Sequence, residues 1–382
     1  MTESLRARRL LFGAPLDPRN NSLNLIRLLL AAIVLFAHSY FIIGLPPESQ
    51  ILLGGKHLGV WAVAGFFAIS GYLITASRQR TRFADFLILR IARIFPAFLV
   101  VLVVTAGLFG PLAHLVNHGS LSGYLNTSVS PLNYIFLNMF LDVRSYSIGD
   151  TLAYVPYPNA WNGSLWTLYY EFLCYLFVGL LLIWRRARNS IWPIALAFAL
   201  SVVVYIRIDL VLKLVDGNVS FELLAMLLPY FLGGALVRAV SPYIGLHWIP
   251  GLISLFVVVF SIQFGPAWAA QLTAPLLAYG LLAVSMVLPQ PKWVARHDIS
   301  YGLYVYAFPV QQLLVVFGLA WLDPIVFSMA ALIITALFAG GSWYLIERPA
   351  LRRARRATGR SADRRVETSS PQVSQTTISD IR

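Results

Sequence analysis

Cysteine and charge are what this 382-residue chain has least of. Its one cysteine, Cys174, sits inside an apolar run. That excludes a disulfide framework and any zinc-type cysteine spacing, so neither a stapled secreted scaffold nor a bound metal is expected. Charged residues make up 12% of the chain against 58% hydrophobic, where a soluble domain holds roughly 25% charged. The mean hydropathy is +0.73. Acids are scarcer than bases: 16 Asp and Glu against 29 Lys and Arg leave a net charge of +13. Such a balance would suit nucleic acid, but the basic residues fall in short clusters between apolar runs and form no single stripe. A nucleic-acid partner is therefore not expected, and the pattern fits the positive-inside rule of membrane proteins. The chain shows no internal repeat and no glycine-rich phosphate loop.

What the chain has in abundance is long apolar runs. Windows of roughly 17 to 25 residues give ten intervals, at 22–44, 58–76, 94–114, 165–184, 191–208, 221–238, 248–264, 268–288, 299–319 and 325–346. The first follows the basic stretch RARRL and has no cleavage pattern after it, so it reads as an uncleaved signal anchor. Arg78, Arg80 and Arg82, and Arg185, Arg186 and Arg188, fall on the same side as the basic N-terminus, as does the arginine-rich tail. The expected fold class is all-α: a polytopic, multi-pass membrane protein of about ten transmembrane helices with both termini cytoplasmic. Residues 1–21 are then a basic cytoplasmic segment and 22–346 the membrane domain. Residues 115–164 form an external loop able to fold over a cavity mouth, and 347–382 an arginine-rich disordered tail.

Ionisable groups inside such runs are costly and mark function by default. Arg27 and His38 both lie in the first run, LNLIRLLLAAIVLFAHSYFIIG. Eleven residues apart, they fall within about 20° of one helix face and roughly 16 Å apart along it, a spacing that suits one ligand with a charged end and a reactive end. Glu171, in NGSLWTLYYEFLCYLF, lies roughly 10 Å below the outer edge and His38 roughly 9 Å. A carboxylate in the same layer can orient the imidazole as general base. Arg90 and Arg93, at i and i+3, share a helix face and make a site for phosphate oxygens, with Arg27 as a third charge. Glu347, before Arg348 and Pro349, reads as a structural acid pairing with Arg348 or a neighbouring loop arginine.

The Arg27 to His38 spacing, with FFAISGYLIT at 66–75, RIARIFP at 90–96 and SLWTLYYE at 164–171, resembles the integral-membrane acyltransferase family 3, which includes bacterial O-antigen, exopolysaccharide and Nod-factor acetylases. ISYGLYVYAFPV and YLIERP are similar to that family's last two spans. The resemblance implies a bacterial inner-membrane O-acyltransferase. It would move an acetyl group from cytoplasmic acetyl-CoA, its donor substrate, to a hydroxyl of a glycan or lipid-linked saccharide at the outer face, alone or with a separate glycan-assembly partner. It implies His38 as the essential histidine with Arg27 as its motif partner, Arg90 and Arg93 on the cofactor side, and Ser70 and Gly71 along the pathway. One departure is Ala307, where many members of the family carry a histidine. For the oxyanion of acyl transfer, Trp166 and Ser164 near the outer entry are candidate donors by their place in the sequence. A rival of another class is a proton-coupled transporter or flippase of a glycan precursor using Arg27, His38 and Glu171 as a relay.

Overall fold

The computed structural model describes residues 13–359. In a bilayer every backbone N–H and C=O must be satisfied within the protein, and for single apolar runs the helix does this. The runs accordingly fold as helices. α1 (Leu23–Ile42) leads through a two-stranded hairpin, β1 (Leu52–Leu53) and β2 (Lys56–His57), into α2 (Leu58–Gln79). Gly54 and Gly55, both at positive φ, close the hairpin in the two-residue form that twisted strands favour. α3 (Phe83–Val104) passes through a π-helical turn at Thr105–Phe109 into α4 (Gly110–His118), and α5 (Pro131–Asn138) lies in the segment that follows. Next come α6 (Trp166–Leu181), α7 (Trp192–Ile206), α8 (Ile208–Leu214), α9 (Val219–Ile244), α10 (Trp248–Phe264) and α11 (Ala274–Ser285). The chain closes with α12 (Ser300–Val316), α13 (Pro324–Ser342), a second π-helical turn at Trp343–Glu347, and α14 (Arg348–Ala357). Ser130, Asn218 and Asp323 cap α5, α9 and α13 with side-chain oxygens.

The fold is all-α with one small hairpin, and its apolar helices make it a membrane protein. Among the described residues, five helical stretches are long and apolar enough to cross a bilayer: Leu23–Ile42, Leu58–Gln79, Phe83–His118, Val219–Ile244 and Pro324–Ala357. α7 and α8, bent by 86°, make a sixth if taken as one span, and α6, α10 and α11 are shorter apolar helices. α12 stands apart. All of it except Leu313 and Val316 is buried, so its face is set by protein neighbours and it carries Gln311, Gln312 and three tyrosines where a lipid-facing helix would carry aliphatics.

Two boundaries differ from the sequence reading. α3 begins at Phe83 and not near residue 94, because Asp85 in its first turn complements the helix dipole and the arginines that follow are good helix formers. The tail expected to be disordered from 347 is helical to Ala357. There α14 packs on α3 and buries Ala354, a tertiary gain that local polarity does not reveal. The remainder of that tail lies outside the described residues, as does most of the basic N-terminal segment.

Close helix approach depends on glycine at one crossing. A Cβ at Gly71 of α2 would sit 1.8 Å from the Phe231 carbonyl oxygen of α9, and one at Gly234 of α9 would sit 1.9 Å from that of Ala68 in α2. These reciprocal small residues let the two backbones touch. Arg78, read from the sequence as a topology charge, is wholly buried at the end of α2. Its guanidinium donates to the carbonyls of Gly179 at 2.9 Å and Thr81 at 2.8 Å and so fastens α2 to α6. Part of the 115–164 segment packs against the helices, burying Tyr134, Leu141, Ile148 and Leu152. Trp161 is buried and donates to Thr151 Oγ1 at 2.9 Å, and Gln312 of α12 donates to the carbonyls of Tyr157 and Ala160, both at 2.8 Å.

Candidate active site

Three cavities follow one another through the bundle. The first, about 620 Å³, is lined by seven arginines (Arg27, Arg90, Arg93, Arg296, Arg348, Arg352 and Arg355) against the carboxylates of Glu171 and Asp298. The second, about 40 Å³, shares Arg27, Ser70, Glu171 and Tyr301 with the first and adds Val63, Phe66, Thr167 and Tyr304. The third, about 350 Å³, shares Val63, Thr167 and Tyr304 with the second and is lined further by His38, His57, Tyr157, Ser164 and Trp166. No residue lines both the first and the third. The shared residues therefore order the three in series, an arginine-rich basin at one end and a histidine-bearing chamber at the other, with a narrow neck between.

At the floor of the basin, Asp298 Oδ2 accepts from Arg27 Nη1 and Arg93 Nη2, each at 2.7 Å, and Ser300 donates to Asp298 Oδ1 at 2.6 Å. Arg93 also reaches Glu347 Oε2 at 3.5 Å and lies over the Tyr301 ring. Burial works to raise the Asp298 carboxyl. The adjacent guanidiniums of Arg27 and Arg93 outweigh it and hold the group below the usual carboxylate range. The π-helical turn matters here: one wide turn rotates Glu347 into the bundle, where Ser342 donates to it at 3.1 Å. Arg90 stacks on Phe86, its guanidinium carbon 6.0 Å from the ring centre.

The neck is polar on one side. Glu171 Oε1 accepts from Ser70 at 2.6 Å and from Tyr175 at 2.7 Å, while Thr167 and Tyr304 hydroxyls pair at 2.6 Å. In the chamber, the His38 ring is held edge-on by Phe41 and Phe308, with centroids 5.2 and 5.3 Å away, and its Nδ1 has no hydrogen-bond partner among the described residues. Ser164 Oγ is buried without a partner as well, although its carbonyl accepts from Tyr304 at 3.0 Å. His57, at the end of the hairpin, brings a second imidazole, which burial pushes below the usual histidine range.

Residues 20–346 match the family described as an acyltransferase domain. The chain belongs to this acyltransferase family. The acyltransferase is 29% identical over 346 residues to the O-acetyl transferase of Shigella phage Sf6, an alignment covering 88% of this chain and 97% of the relative. It is 28% identical over 367 residues to nodulation protein 10 of Rhizobium leguminosarum bv. viciae, covering 87% and 93%. No solved structure matches it.

The charged and polar side chains nominated from the acyltransferase's sequence line this one path, whereas Gly71, expected along the pathway, lies instead at the crossing of α2 and α9 against the Phe231 carbonyl. Arg27, Arg90, Arg93, Ser70 and Glu171 line the basin, and His38, Ser164 and Trp166 the chamber. The expected pairing of His38 with Glu171 is not what the structure holds. Glu171 faces Ser70 and Tyr175, and it lines the basin and neck but not the chamber. Equal depth along two helices leaves their rotation and adjacency open, and α6 turns this acid toward α2. The sequence reading pairs Glu347 with Arg348 or a loop arginine; the structure pairs it with Arg93 of α3 at 3.5 Å. Sequence reasoning missed Asp298, His57, Tyr304 and the arginines of α14. Asp298 left one signal, a lone acid flanking the start of α12 in RHDIS. His57 left none, since a loop histidine beside Lys56 is unremarkable.

Proposed function

We propose that the protein is a bacterial inner-membrane O-acetyltransferase that accepts an acetyl group from acetyl-CoA at the arginine basin on the cytoplasmic side. It delivers that group in the chamber to a hydroxyl of a glycan or lipid-linked saccharide on the opposite side. The observation that carries this reading is the serial arrangement of the three cavities, with polyphosphate chemistry at one end and an imidazole at the other. Guanidinium forks suit the nucleotide phosphates of CoA. The neck accepts a thin extended chain such as pantetheine, whose length of roughly 15 to 20 Å corresponds to the rise between Arg27 and His38. The name of the phage relative, an O-acetyl transferase, supports acetyl as the group and an oxygen as its acceptor.

In this reading His38 takes the proton of the acceptor hydroxyl as its oxygen attacks the thioester carbonyl. The carbon–oxygen bond forms, the carbon–sulfur bond breaks, and CoA leaves as a thiolate that recovers the proton from the imidazolium. The oxyanion forms beside Ser164 and the Trp166 indole, two donors that line the chamber with His38. Glu171 acts at a distance from this step, holding Ser70 and Tyr175 at the mouth of the neck.

The test is transfer of labelled acetyl from acetyl-CoA into membrane-extracted glycans by purified protein in nanodiscs, with His38→Ala alongside. Loss of general base catalysis predicts a fall of about 100- to 10,000-fold for the variant, with unchanged thermal unfolding. Equal turnover by both proteins, or failure of the wild type to bind acetyl-CoA at all, would overturn the reading.

A further inference from the structure

Away from the cavity series, α4 carries two histidines one turn apart in HLVNH, at His114 and His118, and Asp150 faces them from the loop that follows α5. We propose that His114, His118 and Asp150 bind a divalent transition-metal ion of the zinc class, against the expectation from the cysteine count that the protein holds no metal. One ligating atom from each of the three lies within 4.8 Å of the others. His118 Nε2 is 3.0 Å from Asp150 Oδ2, and the two imidazole centroids are 4.4 Å apart.

The independent pointer is His114. It is 5% exposed, and its Nε2 lies 3.1 Å from the Ser122 carbonyl oxygen, while its Nδ1 is buried with no hydrogen-bond partner among the described residues. A carbonyl can only accept, so Nε2 carries the proton and Nδ1 the lone pair. This is how metal-binding histidines are held: the far nitrogen donates to a carbonyl, which fixes the tautomer and aims the other nitrogen at the ion. Two imidazoles and one carboxylate, with water in the fourth position, suit zinc, cobalt or nickel and not calcium or magnesium, which require an oxygen shell. Zinc–ligand distances near 2.0–2.1 Å place tetrahedral ligands roughly 3.4 Å apart. The closing movement falls on His118 and Asp150, whose side chains are 36% and 49% exposed.

The backbone around the site is braced for it. Asn117, between the histidines, donates to the Thr151 carbonyl at 3.0 Å, and Thr151 in turn receives the indole of Trp161. An ion there ties α4 to the strand of loop that continues through Tyr157 to Ser164 in the chamber wall.

The test uses the full-length protein, purified without a histidine tag and dialysed against zinc, with metal content measured by mass spectrometry. Cobalt uptake is followed by visible absorption. The expected result is one zinc per chain in the wild type and at least a tenfold lower affinity in His118→Asn and Asp150→Asn. His297→Asn, at a distant half-buried histidine, retains full zinc content. The cobalt spectrum of the wild type shows nitrogen-ligand bands that change in His114→Gln, while calcium and magnesium do not compete. Substoichiometric zinc in the wild type, or equal retention by His118→Asn, Asp150→Asn and wild type, would overturn the proposal.

Discussion

Arg27 and Asp298 meet at 2.7 Å, and the same carboxylate oxygen holds Arg93 at the same distance. One acid from the loop before α12 thereby joins α1 to α3 at the floor of the basin. With Glu347 on the other side of Arg93, Arg27 and Arg93 are already charge-matched. The seven arginines that line the basin, three of them on α14, outnumber its two lining carboxylates, Glu171 and Asp298.

Replacing Asp298 by Asn leaves two partly buried guanidiniums without their shared anion, a loss of about 3–5 kcal/mol for a broken buried pair. The pH dependence has a definite sign. A carboxyl depressed in the folded state contributes its stability above the unfolded value of about 3.9 and loses it as pH falls through the lower folded value. The gap in melting temperature between wild type and Asp298→Asn is therefore expected to stay constant from pH 8 to pH 5. Thermal unfolding in detergent across that range checks it, and a gap that closes by pH 5 would contradict the assignment.

Arg352 lines the basin from α14. If it meets a phosphate of the donor, Arg352→Ala raises the donor KM about tenfold, near the lower end for a hydrogen bond to a charged group. kcat stays within a factor of two or so, because the contact is equal in ground and transition states. Raising salt should narrow the difference, since exposed charges are screened. Steady-state kinetics at two ionic strengths decides this.

Val63 borders both the neck and the chamber. Val63→Trp is expected to plug the passage, reducing acetyl transfer by at least about 100-fold, the scale of a displaced reacting group. CoA affinity, measured by calorimetry at the basin, should not change. Transfer at the wild-type rate would mean the donor reaches His38 by another route.

The Gly71 crossing allows no side chain. Gly71→Ala sets a methyl 1.8 Å from a backbone oxygen, an overpacking that costs about 1–3 kcal/mol. Gly340→Ala in α13, where a Cβ meets nothing within 4 Å, is expected to be neutral or slightly stabilising by helix propensity. Comparing the two melting temperatures separates close packing from a general intolerance of alanine.

Much of the site was legible because helix geometry is local. The 1.5 Å rise makes the separation of Arg27 and His38 a property of the chain, and the i, i+3 spacing of Arg90 and Arg93 likewise brings both to the basin. Glu171 marks the limit: its depth was readable, its neighbour was not. The helical arginines of α14 read as a solvated tail because their stability comes from packing on α3, which local composition does not encode.

The sequence by itself determined the membrane class, the all-α character, the family, and the residues able to carry charge or a proton inside the bilayer. Burial cost and helical period act on each segment separately. Only the tertiary structure decided which segments meet. It joined Asp298 to Arg27 and Arg93 across more than two hundred residues of chain, turned Glu171 away from His38, and aligned basin, neck and chamber. Rotation and adjacency of helices are set by side-chain packing between distant segments, a property of pairs that no single run of residues contains.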